Sequence, residues 1–169
     1  LDAVSPSPGT FDYAKLDWLN GVYARALDPS AYADRLVVWV GEQGLEWPAE
    51  RVHEAAPLVQ EKIGRFGEFP AFAGFLFGEV EPDPVLLDRP LLLAAAGALD
   101  AVEPWRAEAI EVALKRLCDE LGQKPKAVFG PIRVAITGSR ISPGLYESLE
   151  LLGRGVALER IRRAAELAT

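Results

Sequence analysis

"EPWRAEAIEVALKRLCDELG", Glu103–Gly122, decides the fold class. Ala107, Ile110, Ala113, Leu114, Leu117, Cys118 and Leu121 recur at three- and four-residue spacing, which draws one apolar stripe along a helix. Gly122 supplies the stop, because a glycine just past the last periodic residue accepts the left-handed turn that ends helices. The helix pattern continues on both sides. Toward the C-terminus, "SPGLYESLELLG" offers Ser142 as N-cap, Pro143 at the first helical position and Gly153 past the end. "VALERIRRAAELA" then reads as an amphipathic helix. Between them, "KAVFGPIRVAIT" is ambiguous: Arg133–Thr137 alternates like a strand, but no partner strand is evident, so helix or irregular structure is expected.

Toward the N-terminus, "VLLDRPLLLAAAGALDAV" reads as an apolar helix and "FPAFAGFLFGEV" as a short buried helix or turn-helix. "PAERVHEAAPLVQEKIGRF" carries helical spacing with Pro57 as a kink. "DPSAYADRLVVWVGEQG" opens on Asp28 as N-cap with Pro29 behind it, and Gly41 or Gly44 can close it. "YAKLDWLNGVYARAL" places Leu16, Leu19, Tyr23 and Leu27 on one helical face. "EPDPVLLDRP", Glu81–Pro90, holds three prolines and is the candidate boundary between subdomains. The class is all-α, as two small helical subdomains, 1–83 and 84–169, in an elongated arrangement. No internal repeat interrupts this pattern.

The chain has 169 residues, half of them hydrophobic, with a net charge of −7. That is a globular composition rather than a disordered one. No apolar run approaches a membrane span, and the start "LDAVSPSPGTFDY" has no basic segment followed by an apolar core. With no methionine anywhere, the chain reads as a piece that begins inside a longer protein. The single cysteine, Cys118, allows no internal disulfide and fits a reducing compartment. Charge is unevenly spread. Residues 1–123 hold 10 basic and 21 acidic side chains, net −11, whereas 124–163 hold 8 basic and 3 acidic, net +5. Either the basic end meets an anionic partner or its cations decorate solvated helix faces.

Several chemistries are excluded by residue inventory. The only histidine is His53, on a helix, so an ordinary zinc site cannot be assembled, and no nucleophile in a strained strand-to-helix turn is present to join it in a serine–histidine–acid triad. "ITGSR" is not a phosphate loop, and "EVEPDP" lacks the ordered oxygen spacing of a calcium loop. The remaining carboxylates are scattered at helix-surface spacing. A binding module is expected, not an autonomous catalytic centre.

Three segments carry a resemblance. "FDYAKLDWLNGVYAR" (11–25) is similar to the F-D-x-x-K-L-x-W-x-N-G-x-Y-I-R segment of bacterial glutamyl-tRNA synthetases, class I aminoacyl-tRNA synthetases. "VQEKIGRFGEFP" (59–70) resembles their V-Q-E-R-I-K-x-L-x-E-F stretch. "FGPIRVAITGSRISPGLYESLELLGRGVALERIRRA" (129–164) resembles the family's P-[LI]-R-x-A-[LV]-T-G…[ST]-P-x-L ending. The three follow in the family's order across essentially the whole chain. The resemblance implies the all-helical, C-terminal anticodon-binding region, a cytoplasmic and monomeric tRNA-binding module with no DNA or membrane partner. It further implies tRNA(Glu), and in some members also tRNA(Gln), as partner. ATP and Mg2+ would serve the parent enzyme, and no cofactor this chain itself. The family's two class I signatures are absent, so the adenylation chemistry is expected in an N-terminal catalytic region outside the chain.

Residue by residue, the resemblance places Lys62 where the family's V-Q-E-R arginine reads the first anticodon base, with Arg65 beside it. Lysine keeps the charge but not the planar two-pronged donor. Arg133 matches the P-[LI]-R arginine and Pro131 its proline, while Gly130 stands where some members have glutamine. Ser142, Pro143, Gly144 and Leu145 match [ST]-P-x-L, whose hydroxyl and leucine lie against splayed anticodon bases. Arg140, Arg154, Arg160, Arg162 and Arg163 are candidate phosphate contacts. An alternative without RNA, a helical protein-interaction module, would leave those arginines as surface charge. Trp18 and Tyr23 are expected to be core, and Lys15 and Arg25 to face the tRNA stem by analogy.

Overall fold

Asp28 starts a helix as its chemistry implies: its carboxylate accepts the Ser30 N–H at 2.9 Å, and Pro29 sits in the first turn where no N–H is needed. The structure, a computed structural model, describes residues 21–168 and opens in a helical segment at 21–25. Lys15, Leu16, Trp18 and Leu19, expected on that first helix, lie outside the described residues. The helices that follow are α1 (Pro29–Glu42), α2 (Ala49–Val59), α3 (Phe69–Ala73), α4 (Arg89–Asp100), α5 (Ala107–Leu121), α6 (Pro125–Thr137), α7 (Leu145–Leu152) and α8 (Arg154–Leu167). Among the described residues there is no strand, and the all-α class holds.

Two pairings organise the core. Helix α1 packs on α2 through Tyr32, Leu36 and Val40 against Val52, Ala55, Ala56 and Val59. Helix α4 lies along α8, burying Leu92, Ala95 and Leu99 with Ala157, Ile161 and Ala164. The alanines on both partners allow close approach, and each fully buried Leu or Ile contributes about 1.5–3 kcal/mol. Beside α3, the Trp47 ring stacks on Phe77 at 4.3 Å and meets Phe69 edge-on at 5.7 Å. The stripe foreseen on α5 is real at Ile110, Leu114, Leu117 and Cys118, and Gly122 ends it at φ 62°. Leu121, its last member, is 39 % exposed. Burial pushes the Cys118 thiol up, with Asp119 adding to the effect, which suits a core side chain rather than a nucleophile.

Proline punctuates without breaking the core. Residues 84–86 form a 3-10 turn whose Val85 N–H donates to Asp83, and Asp88 caps α4 by accepting from Leu91 N–H at 3.0 Å. The buried apolar cluster runs continuously from α1 to α8 across this stretch. Arginines bond across it too. Arg51 donates to the Leu151 carbonyl, and Arg163 pairs with Glu79 at 3.0 Å. Tertiary contacts also replace a missing local cap: Arg106 gives α5 no side-chain cap, and Glu150 of α7 accepts the Ala107 N–H at 3.1 Å instead.

The ambiguous stretch "KAVFGPIRVAIT" is a helix. Val134, Ala135, Ile136 and Thr137 are all buried, so the end of α6 is enclosed on more than one face and alternation there carries no strand information. Gly138, at φ 70°, ends it.

Tyr32 is 1 % exposed and its hydroxyl has no hydrogen-bond partner among the described residues. Burial, helped by Glu68, pushes its pKa up to about 12. The sign is clear: the neutral phenol is favoured in the folded state, so this stability is fully present below pH ~10 and is lost as pH rises through about 12. The loss amounts to roughly 2–3 kcal/mol. Tyr32→Phe is expected to leave stability at pH 7 equal or slightly higher, since it removes an unsatisfied buried hydroxyl. It should also abolish most of the decline between pH 10 and 12 in denaturant titrations.

Candidate nucleic-acid interface

One face of α6 builds the site. Lys126, Phe129, Gly130 and Arg133 follow i, i+3, i+4, i+7 spacing and so share that face. With Pro131, Val134, Leu86 and Arg140 they line a groove of about 520 Å3. Its charge is one-sided: three cations and no acidic side chain line it, in a chain of net charge −7. Phe129 contributes a half-buried ring, held edge-on against Tyr146 at 5.8 Å. A Cβ added at Gly130 would meet nothing within 4 Å, so the backbone there is approachable. Pro131 has no N–H to give the Ala127 carbonyl, which leaves that acceptor without its helical donor.

Arg133 is the hinge of this arrangement. Its Nη1 donates to the Ser142 hydroxyl, to the Ser142 carbonyl at 3.4 Å and to the Pro143 carbonyl at 2.7 Å. Nε and Nη2 make no hydrogen bond among the described residues, so half of the guanidinium fork remains to meet a ligand. Burial draws its pKa down and Glu147 opposes that; it stays a cation at any ordinary pH. The Thr137 hydroxyl, back-bonded to the Arg133 carbonyl at 2.8 Å, accepts the Ser139 N–H at 3.1 Å and steadies the 138–141 turn carrying Arg140. Arg140 itself is exposed and has no partner among the described residues.

The structure thus brings together Gly130, Pro131, Arg133 and Arg140, with Ser142 and Pro143 attached through Arg133. Other expectations are corrected. Ser142 is not an N-cap: α7 begins at Leu145 with Gly144 in the cap position and no side-chain cap bond, because Arg133 has captured the Ser142 oxygen. Leu145 is 4 % exposed and packs into the core, so it offers almost no apolar surface to a base. Arg154 spends its donors on the Asp100 and Val102 carbonyls and on Glu103 at 2.6 Å. Arg160 spends its own on Phe75, Ile136 and Gly78 carbonyls. Both serve as ties between distant segments of the fold. Arg162 and Arg163 are exposed but paired with Asp100 and Glu79. Lys62 is exposed, and Arg65 lines a different groove.

Two residues the motifs did not single out, Lys126 and Phe129, belong to the site. Their signal was the helical spacing to Arg133, legible only once the stretch is known to be helix. Tyr23, expected in the core, is 69 % exposed.

A family model described as an anticodon binding domain matches residues 30–165, spanning α1 to α8. The chain belongs to the anticodon-binding domain family. It is 43 % identical over 179 residues to the glutamate–tRNA ligase of Saccharopolyspora erythraea, covering 96 % of this chain and 35 % of that protein. With the glutamate–tRNA ligase of Acidothermus cellulolyticus the identity is 44 %, covering 98 % and 36 %. The chain therefore spans about a third of the length of these curated relatives. A crystal structure of a glutamate tRNA ligase from Elizabethkingia meningosepticum superposes with a TM-score of 0.78 at 20 % identity, over 92 % of this chain and 32 % of that one. At that identity the likeness speaks for the helical fold alone.

Proposed function

We propose that this anticodon-binding domain grips the anticodon loop of tRNA(Glu) as part of a cytoplasmic, monomeric glutamate–tRNA ligase whose catalytic region lies outside the described residues. The α6 groove supports this reading: three cations and no acidic side chain line it, beside an aromatic ring and the open backbone at Gly130. Sequence-specific RNA readers take unstacked loop bases by stacking and by edge hydrogen bonds. Here Nε and Nη2 of Arg133 supply edge donors, Phe129 supplies apolar ring surface, and Lys126 and Arg140 hold the flanking phosphates. Nη1 of Arg133, bonded to Ser142 and Pro143, fixes the direction of those donors. Lys62, lacking arginine's fork, reads its base less strictly, which leaves room for tRNA(Gln). The proline-rich 81–90 stretch would join two subdomains, 1–83 and 84–169, that share one buried core.

ATP and Mg2+ would act in the parent enzyme's catalytic region; among the described residues no group of three His, Cys, Asp or Glu side chains is placed to hold a metal ion. This region's contribution to glutamylation is positioning.

Binding of tRNA should be salt-dependent in proportion to the cations used. With about three phosphate neutralisations on a single-stranded loop, log K falls against log salt with a slope near −2. Affinity should therefore drop about 20-fold between 50 and 200 mM salt. Filter binding over a salt series checks this, and a flat dependence would point instead to an apolar protein partner.

A further inference from the structure

The groove on α6 has one lining residue that neither α6 nor the turn after it supplies, and that is Leu86. It comes from the proline-rich stretch, where the backbone is locked in place. Pro82 and Pro84 fix φ on either side of Asp83. The Val85 N–H donates to the Asp83 carboxylate at 3.0 Å, and the Leu86 N–H donates to the Asp83 carbonyl at 3.0 Å. The Leu87 N–H closes the turn on the Pro84 carbonyl at 3.2 Å. A Cβ placed at Gly138 would lie 3.6 Å from the Glu81 carbonyl and 3.6 Å from the Val80 Cβ, so the chain runs close against the end of α6 before it makes this turn. The 84–86 turn is itself in contact with α6. Leu87 packs against the buried core, whereas Leu86 is left half-buried on the groove. The nearby acids serve their own backbone: Asp83 caps the turn, Asp88 accepts the Leu91 N–H at 3.0 Å, and neither lines the groove.

We infer that Leu86 is a contact residue of this site, the apolar wall against which an unstacked base of the anticodon loop packs. The inference rests on the proposed RNA-binding role of the α6 groove. The resemblance gave an apolar base contact to Leu145, but Leu145 is 4 % exposed and Leu86 is the leucine that lines the groove. An aliphatic side chain has nothing to offer a phosphate; what it can cover is the face of a base. Held on a hydrogen-bonded turn, it also loses little freedom when it does so. Lys126, Arg133 and Arg140 then meet the charged and polar parts of the same loop.

The test uses the purified chain and a stem-loop RNA carrying the glutamate anticodon, with affinity read by fluorescence anisotropy over a salt series. Leu86→Ala should weaken binding about fivefold, roughly what burial of one or two methylene groups contributes. The slope of log K against log salt should stay as in the parent, because a neutral side chain releases no counterion. Arg140→Ala should instead reduce that slope by about 0.7. Leu86→Met, which keeps the apolar surface, should bind as the parent does. Leu86→Gln, which keeps the length and loses the apolarity, should behave like the alanine variant, and thermal melts verify that all three remain folded. If Leu86→Ala and Leu86→Gln bind within twofold of the parent while Arg133→Ala weakens binding, Leu86 is no contact and the α6 reading stands. A weakening that comes with a reduced salt slope places the loss on the cations and also overturns the inference. If Leu86→Ala weakens binding at unchanged slope while Arg133→Ala does not, the Leu86 contact stands and the assignment of Arg133 falls. If neither variant changes affinity, both readings are wrong.

Discussion

Arg133→Ala should weaken binding of a tRNA(Glu) anticodon stem-loop by roughly 10- to 100-fold at moderate salt, because a charge-assisted hydrogen bond carries about 1.5–3 kcal/mol. Two losses coincide. Donors at Nε and Nη2 vanish from the groove, and Nη1 no longer holds Ser142 and Pro143 in place. Arg133→Lys separates them: it restores a charge but not a fork that reaches the loop and the groove together. The lysine variant should therefore recover part of the salt-dependent affinity and little of the preference for the correct anticodon. Gel-shift titration against correct and swapped anticodons measures both quantities. An alanine variant that stays within twofold of the parent on both RNAs contradicts the assignment of Arg133.

How much of this was legible in the sequence depends on which forces set each feature. Asp28–Pro29 and the Ile110, Leu114, Leu117 stripe are local signals, and they survive folding because nothing tertiary competes with them. The end of α6 misled because periodicity assumes one buried face, and Val134–Thr137 are enclosed on several. Ser142 misled because a cap is a competition for one oxygen, and an arginine nine residues away won it. Tyr23 misled for a related reason: a ring at core spacing instead borders an open groove. Motif resemblance found Arg133 but passed over Lys126 and Phe129, whose membership follows from the helical face they share with it. The arginines of α8 looked like an RNA-binding cluster by composition. Carbonyl oxygens from distant segments, which composition does not show, consume Arg160.

That consumption leads to the second large effect. Arg160 is half-buried and donates to the Phe75 carbonyl at 2.9 Å, the Ile136 carbonyl at 2.8 Å and the Gly78 carbonyl at 2.7 Å. Ile136 lies in the last turn of α6, where carbonyls have no helical donor, so Arg160 caps the helix that carries the groove. It also ties the 74–78 turn to α8. Arg160→Ala should destabilise the fold by about 3 kcal/mol, since buried carbonyls lose their donor and the two that water reaches poorly go unsatisfied. For a chain of this size that lowers Tm by about 10 °C. Arg160→Lys should recover only part, because one ammonium cannot span three carbonyls. Arg163→Ala, which removes an exposed ion pair with Glu79, should shift Tm by no more than about 2 °C in the same melts.

On the proposed function, the one-signed groove on α6 binds the anticodon loop of tRNA. Its most direct measurement is crosslinking of tRNA(Glu) substituted with a photoreactive base at each anticodon position, followed by mapping of the attached peptide. The account predicts that at least one anticodon base crosslinks within residues 126–143, and that raised salt suppresses it. Crosslinks confined to other segments, with 126–143 unlabelled at every anticodon position, would contradict it.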